Sequence, residues 1–328
     1  MVVDVDTLII VAVKEMIVND SKQSAVLRHE LGVLHPQLQP DIRARRVRGP
    51  PYRRARAPVA LRSLPKSPPL TAAAVGANIP VGRAPRARRP RGHNSSSSSS
   101  GGVPVGDQAL RDHHSPCPHM PRYFGSFVTQ DASGRSCVSI VLEHIPGVDL
   151  HRWIEESGSG LGPEHFIPPE QWLACVCRDL VEALRYLHER RRIHRDVKPA
   201  NVLLAPGGAK LADFGSTIKE DEGAGHRMHG TIRFMSPERL WERQYRPSSD
   251  LWATGLTIAA TALGENPIPH CSTEFDAVEH AMAAFDMVAA HPRASRLSPE
   301  LLDFLRVVLV ADPDKRPTAE EMLEHPFV

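Results

Sequence analysis

The sequence predicts an α+β domain in two parts: a small strand-rich region, then a larger helical one, with a cleft between them. Three observations predict it. Strand-type segments come early, at 7–18, 122–130 and 136–145. Residues 170–189 carry one apolar stripe at helical spacing. From Asp250 onward the pattern is helical, with no internal repeat. Strands followed by helices make a sheet layer and a helical layer that meet at a cleft.

Taken in order, TLIIVAVKEMIV (7–18) is rich in β-branched residues and reads as a strand. Residues 21–34 place Leu27, Leu31 and Leu34 at helical spacing, with Ser21 as N-cap and Gly32 as a weak point. From 37 to 113 the chain is rich in Arg, Pro, Ala and Ser, with six serines at 95–100, and cannot bury enough apolar surface to fold. Order resumes with two strands, 122–130 and 136–145, about a Gly/Ser turn. The 170–189 helix carries Leu173, Val176, Cys177, Leu180, Leu184 and Leu187 on one face. Short strands at 202–204 and 209–212 flank the turn Pro206-Gly207-Gly208. Thr318 and Glu321 make a capping box for the last helix. The expected organisation is therefore 1–36 (partial sheet region), 37–113 (disordered insert), 114–145 (rest of the sheet region and its exit) and 146–328 (helical region).

The chain has 328 residues, 41% hydrophobic and 24% charged, which is globular and suits one large or two small domains. Five cysteines without a CxxC pair do not make a disulfide framework, so a reducing compartment is expected, the cytoplasm or the nucleus. Cys175 and Cys177 read as packing residues. The opening MVVDVDTLII carries acids rather than a basic n-region, so no signal peptide is expected. The longest uncharged apolar run, from Leu251 to Gly264, is too short for a bilayer and reads as a buried helix. Residues 41–93 hold 13 Arg and one Lys against one acid, net +13; the chain as a whole is +2, so the remainder is about −11.

The chemistry lies in two phrases. Residues 194–201 read HRDVKPAN, and DFG begins at Asp213, twelve positions after Asn201. A carboxylate, a lysine, an amide and a second carboxylate on two adjoining turns are the groups that phosphoryl transfer from ATP needs. The string with DFG at this spacing resembles the protein kinases. The resemblance implies the bilobal protein-kinase fold, with ATP and Mg²⁺ as cofactors. It implies Asp196 as the base that takes the acceptor hydroxyl's proton and Lys198 as the charge on the transferred group. Asn201 and Asp213 would be the magnesium ligands. His194 and Phe214 read as packing residues.

Other segments extend the resemblance. VAVK (11–14) resembles the third-strand motif of the family, which implies that Lys14 grips the α- and β-phosphates. Its expected partner is Glu30, on the helix that follows. The residue types alone also fit a surface lysine and a solvated glutamate; the downstream motifs favour the ion pair. SIVLEHI (139–145) resembles the hinge: Leu142 at the back of the adenine pocket, the Glu143 carbonyl and Ile145 N–H on the adenine edge, Ala12 and Leu203 on either face. Arg195 would pair with a phosphate on the activation loop. In HGTIRFMSPERL (229–240), Thr231 would sit near Asp196 and Lys198, and Glu238 would pair with Arg316 of DPDKRP.

MSPERL, LEHIPGVDL and HRDVKPAN together look most like the MAP-kinase kinases, which phosphorylate a threonine and a tyrosine on a MAP kinase. The resemblance covers 7–36 and 115–328. It implies a serine/threonine or dual-specificity protein kinase, a MAP kinase as partner and an upstream kinase as activator.

Three features depart from the family. The stretch ahead of Lys14 contains no glycine, so the GxGxxG turn over the phosphates is not in this sequence. The expectation is a truncated chain with weak ATP binding as it stands; the alternative is a kinase-fold scaffold of a MAP-kinase pathway. The basic insert offers a nuclear-localisation or nucleic-acid patch at 83–92, or a docking sequence at Arg53, Arg54, Val59 and Leu61. A coding bias or retained intron gives the same composition, and nucleic acid is not the expected partner. Finally, no Ser, Thr or Tyr lies between Thr217 and Thr231, and Gly223 and Arg227 stand near where the family's two phosphorylation sites would fall. Glu220, Asp221 and Glu222 offer fixed negative charge for Arg195 instead, or else form a solvated face.

Overall fold

The structure, a computed structural model, describes residues 2–3, 10–17, 21–34, 117–130, 135–158, 168–222, 230–241 and 244–328. The insert with its two candidate motifs, the turn at 131–134, and Gly223 and Arg227 lie outside these residues.

The first part is a sheet with one helix. Strands β1 (Val2–Val3) and β2 (Ile10–Ile17) precede α1 (Ser21–Leu34), and β3 (Tyr123–Gln130) and β4 (Ser136–Glu143) follow. The strands form an antiparallel sheet in the order β1-β2-β4-β3. The β2–β4 register sets Ala12 opposite Leu142 and Lys14 opposite Ile140, which is fully buried. Ser21 is the first residue of α1, within one position of its expected cap. Leu27, Leu31 and Leu34 are buried as the spacing predicts, and Glu30 is buried among them.

The second part is mainly helical: α2 (Leu150–Gly158), α3 (Glu170–Glu189), α4 (Pro237–Trp241), α5 (Pro247–Leu263), α6 (Glu274–Met282), α7 (Ala284–Ala290), α8 (Pro299–Val308) and α9 (Ala319–Leu323). Between α3 and α4 lie four short strands: β5 (Arg192–Ile193), β6 (Val202–Ala205), β7 (Gly208–Leu211) and β8 (Ile218–Lys219). β6 pairs with β7, and β5 with β8. The six stripe residues of α3 are all buried, and the helix packs against β7, α5 and α9. Cys177 lies on that stripe, and burial pushes its thiol up. Cys175 does not; it is exposed, a correction to its reading as a packing residue, because its position falls between the rows of the stripe. All five cysteines are free.

The uncharged run after Asp250 is α5, buried on every side. Pro247 starts it and Gly264, at φ 75°, ends it. Its three buried threonines bond back one turn: Thr254 to the Asp250 carbonyl (2.9 Å), Thr257 to Ala253 (2.8 Å) and Thr261 to Thr257 (2.7 Å), so no hydroxyl is stranded. α9 carries the predicted capping box: Thr318 N–H donates to Glu321 Oε2 (2.7 Å) and Glu321 N–H to Thr318 Oγ1 (3.2 Å). Among the described residues no helix is long and apolar enough to cross a membrane.

Candidate active site

The 192–201 loop begins where α3 stops. Arg190 and Arg191 close the helix with N–H bonds to Leu187 and His188, and Arg191 takes the left-handed conformation (φ 54°) that turns the chain back. Arg195 is left-handed too (φ 71°), a costly backbone for a side chain with a Cβ. What holds this turn is Asp250, buried at the start of α5. Its Oδ2 accepts from His194 N–H and meets His188 Nε2, both at 2.9 Å, while Oδ1 accepts from Arg195 N–H at 2.9 Å. Sequence reasoning missed Asp250 and used it only to bound an apolar run. Its one visible signal was a lone acid heading a helix too apolar to be exposed.

The loop then brings four side chains together. Asp196 Oδ2 accepts from Lys198 Nζ (2.8 Å) and Asn201 Nδ2 (3.0 Å). Asp196 Oδ1 faces Thr231, with the N–H at 3.2 Å and Oγ1 at 3.4 Å. Lys198 Nζ also donates to Thr231 Oγ1 at 2.9 Å. Asn201 Nδ2 further donates to the Asp196 carbonyl at 2.7 Å, which fixes which amide atom faces inward. Asp196 thus holds two donors on one oxygen and an exchangeable hydroxyl beside the other.

Asp213 joins this group from the next turn. Ala212 N–H bonds the Asn201 carbonyl at 2.9 Å, and Asp213 is left-handed (φ 62°). His194 and Phe214 are buried and meet edge to face at 5.5 Å. Burial holds the His194 ring below its ordinary value, so it stays neutral and bonds the Ala212 carbonyl at 3.1 Å. Both residues pack, as the sequence predicts.

Lys14 reaches across from β2. Its Nζ lies 2.8 Å from both Glu30 Oε1 and Asp213 Oδ1. Burial works against the ammonium, but the two carboxylates outweigh it and raise the Lys14 value. For Glu30 burial wins and its carboxyl is raised despite Lys14; Oε2 has no hydrogen-bond partner among the described residues. Burial also penalises Asp213, but its bond to Lys14 more than offsets this and holds it low.

At the end of β4, Leu142 is half-buried against the core. Glu143 is engaged by its side chain: Oε2 accepts from Arg122 N–H (3.0 Å) and Lys210 Nζ (2.7 Å). Lys210, on β7, ties this exit segment to the helical region and was not singled out in the sequence. Ile145 lies just beyond β4 and is half-buried. Leu203, on β6, is half-buried and bridges to Asp149. Farther off, Glu238 and Arg316 form a two-pronged pair, Nη1–Oε1 at 2.7 Å and Nη2–Oε2 at 2.6 Å, both side chains buried. Ser236 and Ser249 hydroxyls donate to the same carboxylate at 2.6 and 2.8 Å.

Burial works against the Arg195 cation, and Glu222 of the acidic run is among the charges that favour it, as the sequence offered; two further contacts seat the side chain. Its Nε donates to the Ser216 carbonyl, and its guanidinium sits 4.6 Å from the centroid of the buried Tyr245 ring. Glu220, in a 3₁₀ turn with Asp221 and Glu222, lies against Arg191 at 3.4 Å.

The protein kinase domain family matches residues 109–328, two thirds of the chain. The chain belongs to the protein kinase domain family. The match starts at the end of the insert, so Lys14 and Glu30 are brought to the site by the fold rather than by the matched segment. The kinase domain is 32% identical over 221 residues to mitogen-activated protein kinase kinase 2 of Arabidopsis thaliana, covering 65% of this chain and 57% of that protein. It is 33% identical to mitogen-activated protein kinase kinase 5 of Leishmania mexicana, covering 64% and 38%. It is also 33% identical to the serine/threonine-protein kinase hippo of Drosophila melanogaster, covering 64% and 30%. The chain thus spans less than two thirds of each relative. Likeness at this level extends across MAP-kinase kinases and other serine/threonine kinases and does not single out one branch.

Among the described residues no cluster of three or more His, Cys, Asp or Glu could hold a metal alone. The donor set of this kinase domain nonetheless fits magnesium. Mg²⁺ is commonly bound by one or two protein oxygens and completes its shell with phosphate and water. Asn201 spends its NH₂ on Asp196 and so keeps its carbonyl oxygen to offer, and Asp213 is held ionised.

Proposed function

We propose that this chain transfers the γ-phosphate of ATP to a serine or threonine hydroxyl of a protein, with a MAP kinase as the substrate and tyrosine as a second acceptor. The observation that carries the reading is the Asp196 carboxylate, with Lys198 and Asn201 on one oxygen and the Thr231 hydroxyl beside the other. Thr231 supports the reading by setting a hydroxyl near Asp196 Oδ1 and Lys198 Nζ. Asp196 takes the acceptor hydroxyl's proton as its oxygen attacks the γ-phosphorus, the bond from that phosphorus to the β–γ bridging oxygen breaks, and ADP leaves with the bridging oxygen. Lys198, already between Asp196 and Thr231, neutralises charge on the group in transfer. Asn201 and Asp213 would hold magnesium, which supplies charge neutralisation on the phosphates. Lys14, kept charged and aimed by Glu30 and Asp213, would bind the α- and β-phosphates. Ala12, Leu142 and Leu203 would enclose adenine, with the Glu143 carbonyl and the Ile145 N–H on its edge. Arg195 and the Glu238–Arg316 pair support the loops that carry these groups. The MAP-kinase assignment is supported by the MSPERL and LEHIPGVDL segments and by the names of several relatives.

The test is transfer of radiolabel from γ-labelled ATP to candidate MAP kinases and to a general basic protein, with magnesium present. Asp196→Asn should lower turnover by about 10²- to 10⁴-fold, the usual worth of a general base, with nucleotide affinity unchanged. Nucleotide binding without transfer, both by this chain and by one extended upstream to carry the GxGxxG turn, would rule out the enzyme and leave a kinase-fold scaffold.

A further inference from the structure

The activation segment has a feature that the kinase reading does not absorb. Between Thr217 and Thr231 there is no hydroxyl to phosphorylate, so the phosphate that the family resemblance pairs with Arg195 has no place there. The acidic run meets the need for an anion in part: burial works against the Arg195 cation and Glu222 is among the charges that favour it, while Glu220 is committed to Arg191. Its carboxylate lies 3.4 Å from Arg191 Nε, and its N–H bonds the Arg191 carbonyl at 2.9 Å.

Arg195 is seated by other groups. Nε is taken by the Ser216 carbonyl, just after the DFG turn. The guanidinium lies 4.6 Å from the Tyr245 ring centroid, and the Arg239 guanidinium lies 3.4 Å from the same centroid. Tyr245 is 5% exposed and Arg239 1%, so that contact is dry, where a cation on an aromatic ring is worth most, while Arg195 is half-buried on the same ring. Tyr245 also forms a small buried cluster with Ile193 and Ile218, the residues that pair β5 with β8. One ring therefore touches the guanidinium next to Asp196 and the strand pair that starts the activation segment.

We infer that Tyr245 is a positioning residue: its ring, with the Ser216 carbonyl, seats Arg195 and so orders the catalytic loop and the start of the activation segment without a phosphate. This rests on the kinase reading above and specifies its regulation, which is independent of activation-loop phosphorylation. The mechanism is local. Asp250 holds the left-handed Arg195 backbone through its N–H, the ring and the Ser216 carbonyl hold the side chain, and Asp196 is the next residue. Releasing the guanidinium releases the direction of the carboxylate.

The experiment is amide hydrogen exchange over 191–195 and 216–222 of the full chain, before and after phosphatase treatment, in the unsubstituted protein, Tyr245→Phe and Tyr245→Leu. Phosphatase should leave exchange unchanged in the unsubstituted protein. Tyr245→Leu should speed exchange in both segments about tenfold, while Tyr245→Phe, which keeps the ring, stays close to the unsubstituted protein. With substrate, Tyr245→Leu should lower kcat with the KM for ATP unchanged. Faster exchange on phosphatase treatment, or equal exchange in the Phe and Leu variants, overturns the inference. The phosphatase arm decides even if Tyr245→Leu does not fold. Absence of transfer by the unsubstituted protein with these exchange patterns intact would count against the kinase reading and leave the Arg195 seat standing.

Discussion

The two parts of the domain each contain a buried glutamate paired with a cation, and the pairs are built differently. In the helical region both members of the Glu238–Arg316 pair are almost fully buried, at 2% and 0% side-chain exposure. Every donor of the arginine has a use: beyond the carboxylate, Nε donates to the Val310 carbonyl (2.6 Å) and Nη2 to Ala311 (3.0 Å). In the sheet region Lys14 is 37% exposed, divides itself between Glu30 and Asp213, and leaves Glu30 with one stranded oxygen. The first pair is a rigid anchor. The second is incomplete: its lysine is shared between two carboxylates and one Glu30 oxygen has no partner among the described residues. On the proposed reading that lysine would turn towards a phosphate, and a pair that must let go of one partner cannot also be fully satisfied.

The sharpest way to break this comparison is Arg316→Ala. It leaves Glu238 buried without its counter-charge and should cost about 3–5 kcal/mol in urea unfolding. A loss under ~1 kcal/mol would mean the anchor is not one. Next is the pH dependence of Glu238→Gln. Burial alone would raise the Glu238 carboxyl, but Arg316 and the two serines hold it below its ordinary 4.5. A depressed carboxylate stabilises the fold above its unfolded value and loses that contribution as pH falls through the folded one. The deficit of Glu238→Gln relative to the unsubstituted protein should therefore be full at about pH 7 and shrink below about pH 4.5. Glu30 runs the other way: its raised value makes its protonated form the better folded one, so its contribution is lost as pH rises above its unfolded value. The smallest expected effect is on the stability of Lys14→Met, roughly 1–2 kcal/mol, because Glu30 can take up a proton once its partner is gone. Nucleotide binding by that variant should fall far more than its stability, and equal losses in both would erase the contrast.

Much of this was legible in the chain. The α3 stripe and the Leu27–Leu31–Leu34 spacing are local patterns, and a helix face buries what its period aligns. HRDVKPAN and DFG were legible because their residues are few, close together and chemically specific. The positions that escaped reading act over long separations. Asp250 holds the backbone of a loop that precedes it by more than two helices' length of chain, and Lys210 meets Glu143 from the far side of α3. Tyr245 serves Arg195 from beyond the activation segment. A single Asp, Lys or Tyr has no pattern of its own, and its partner is set by how the helices pack. The acids at 220–222 were legible as charge but not as to which arginine they meet.

By itself the sequence determined the order of elements, the helix faces and the groups able to handle a phosphoryl transfer, because these depend on side-chain type and on short spacings. Only the tertiary structure decided which groups meet. Lys14 and Asp213 stand near opposite ends of the described chain order for the site, one before the insert and one after the catalytic loop, yet lie 2.8 Å apart in the fold. No local preference encodes such a contact; it exists because burying the sheet and the helices around one core brings those two backbones together.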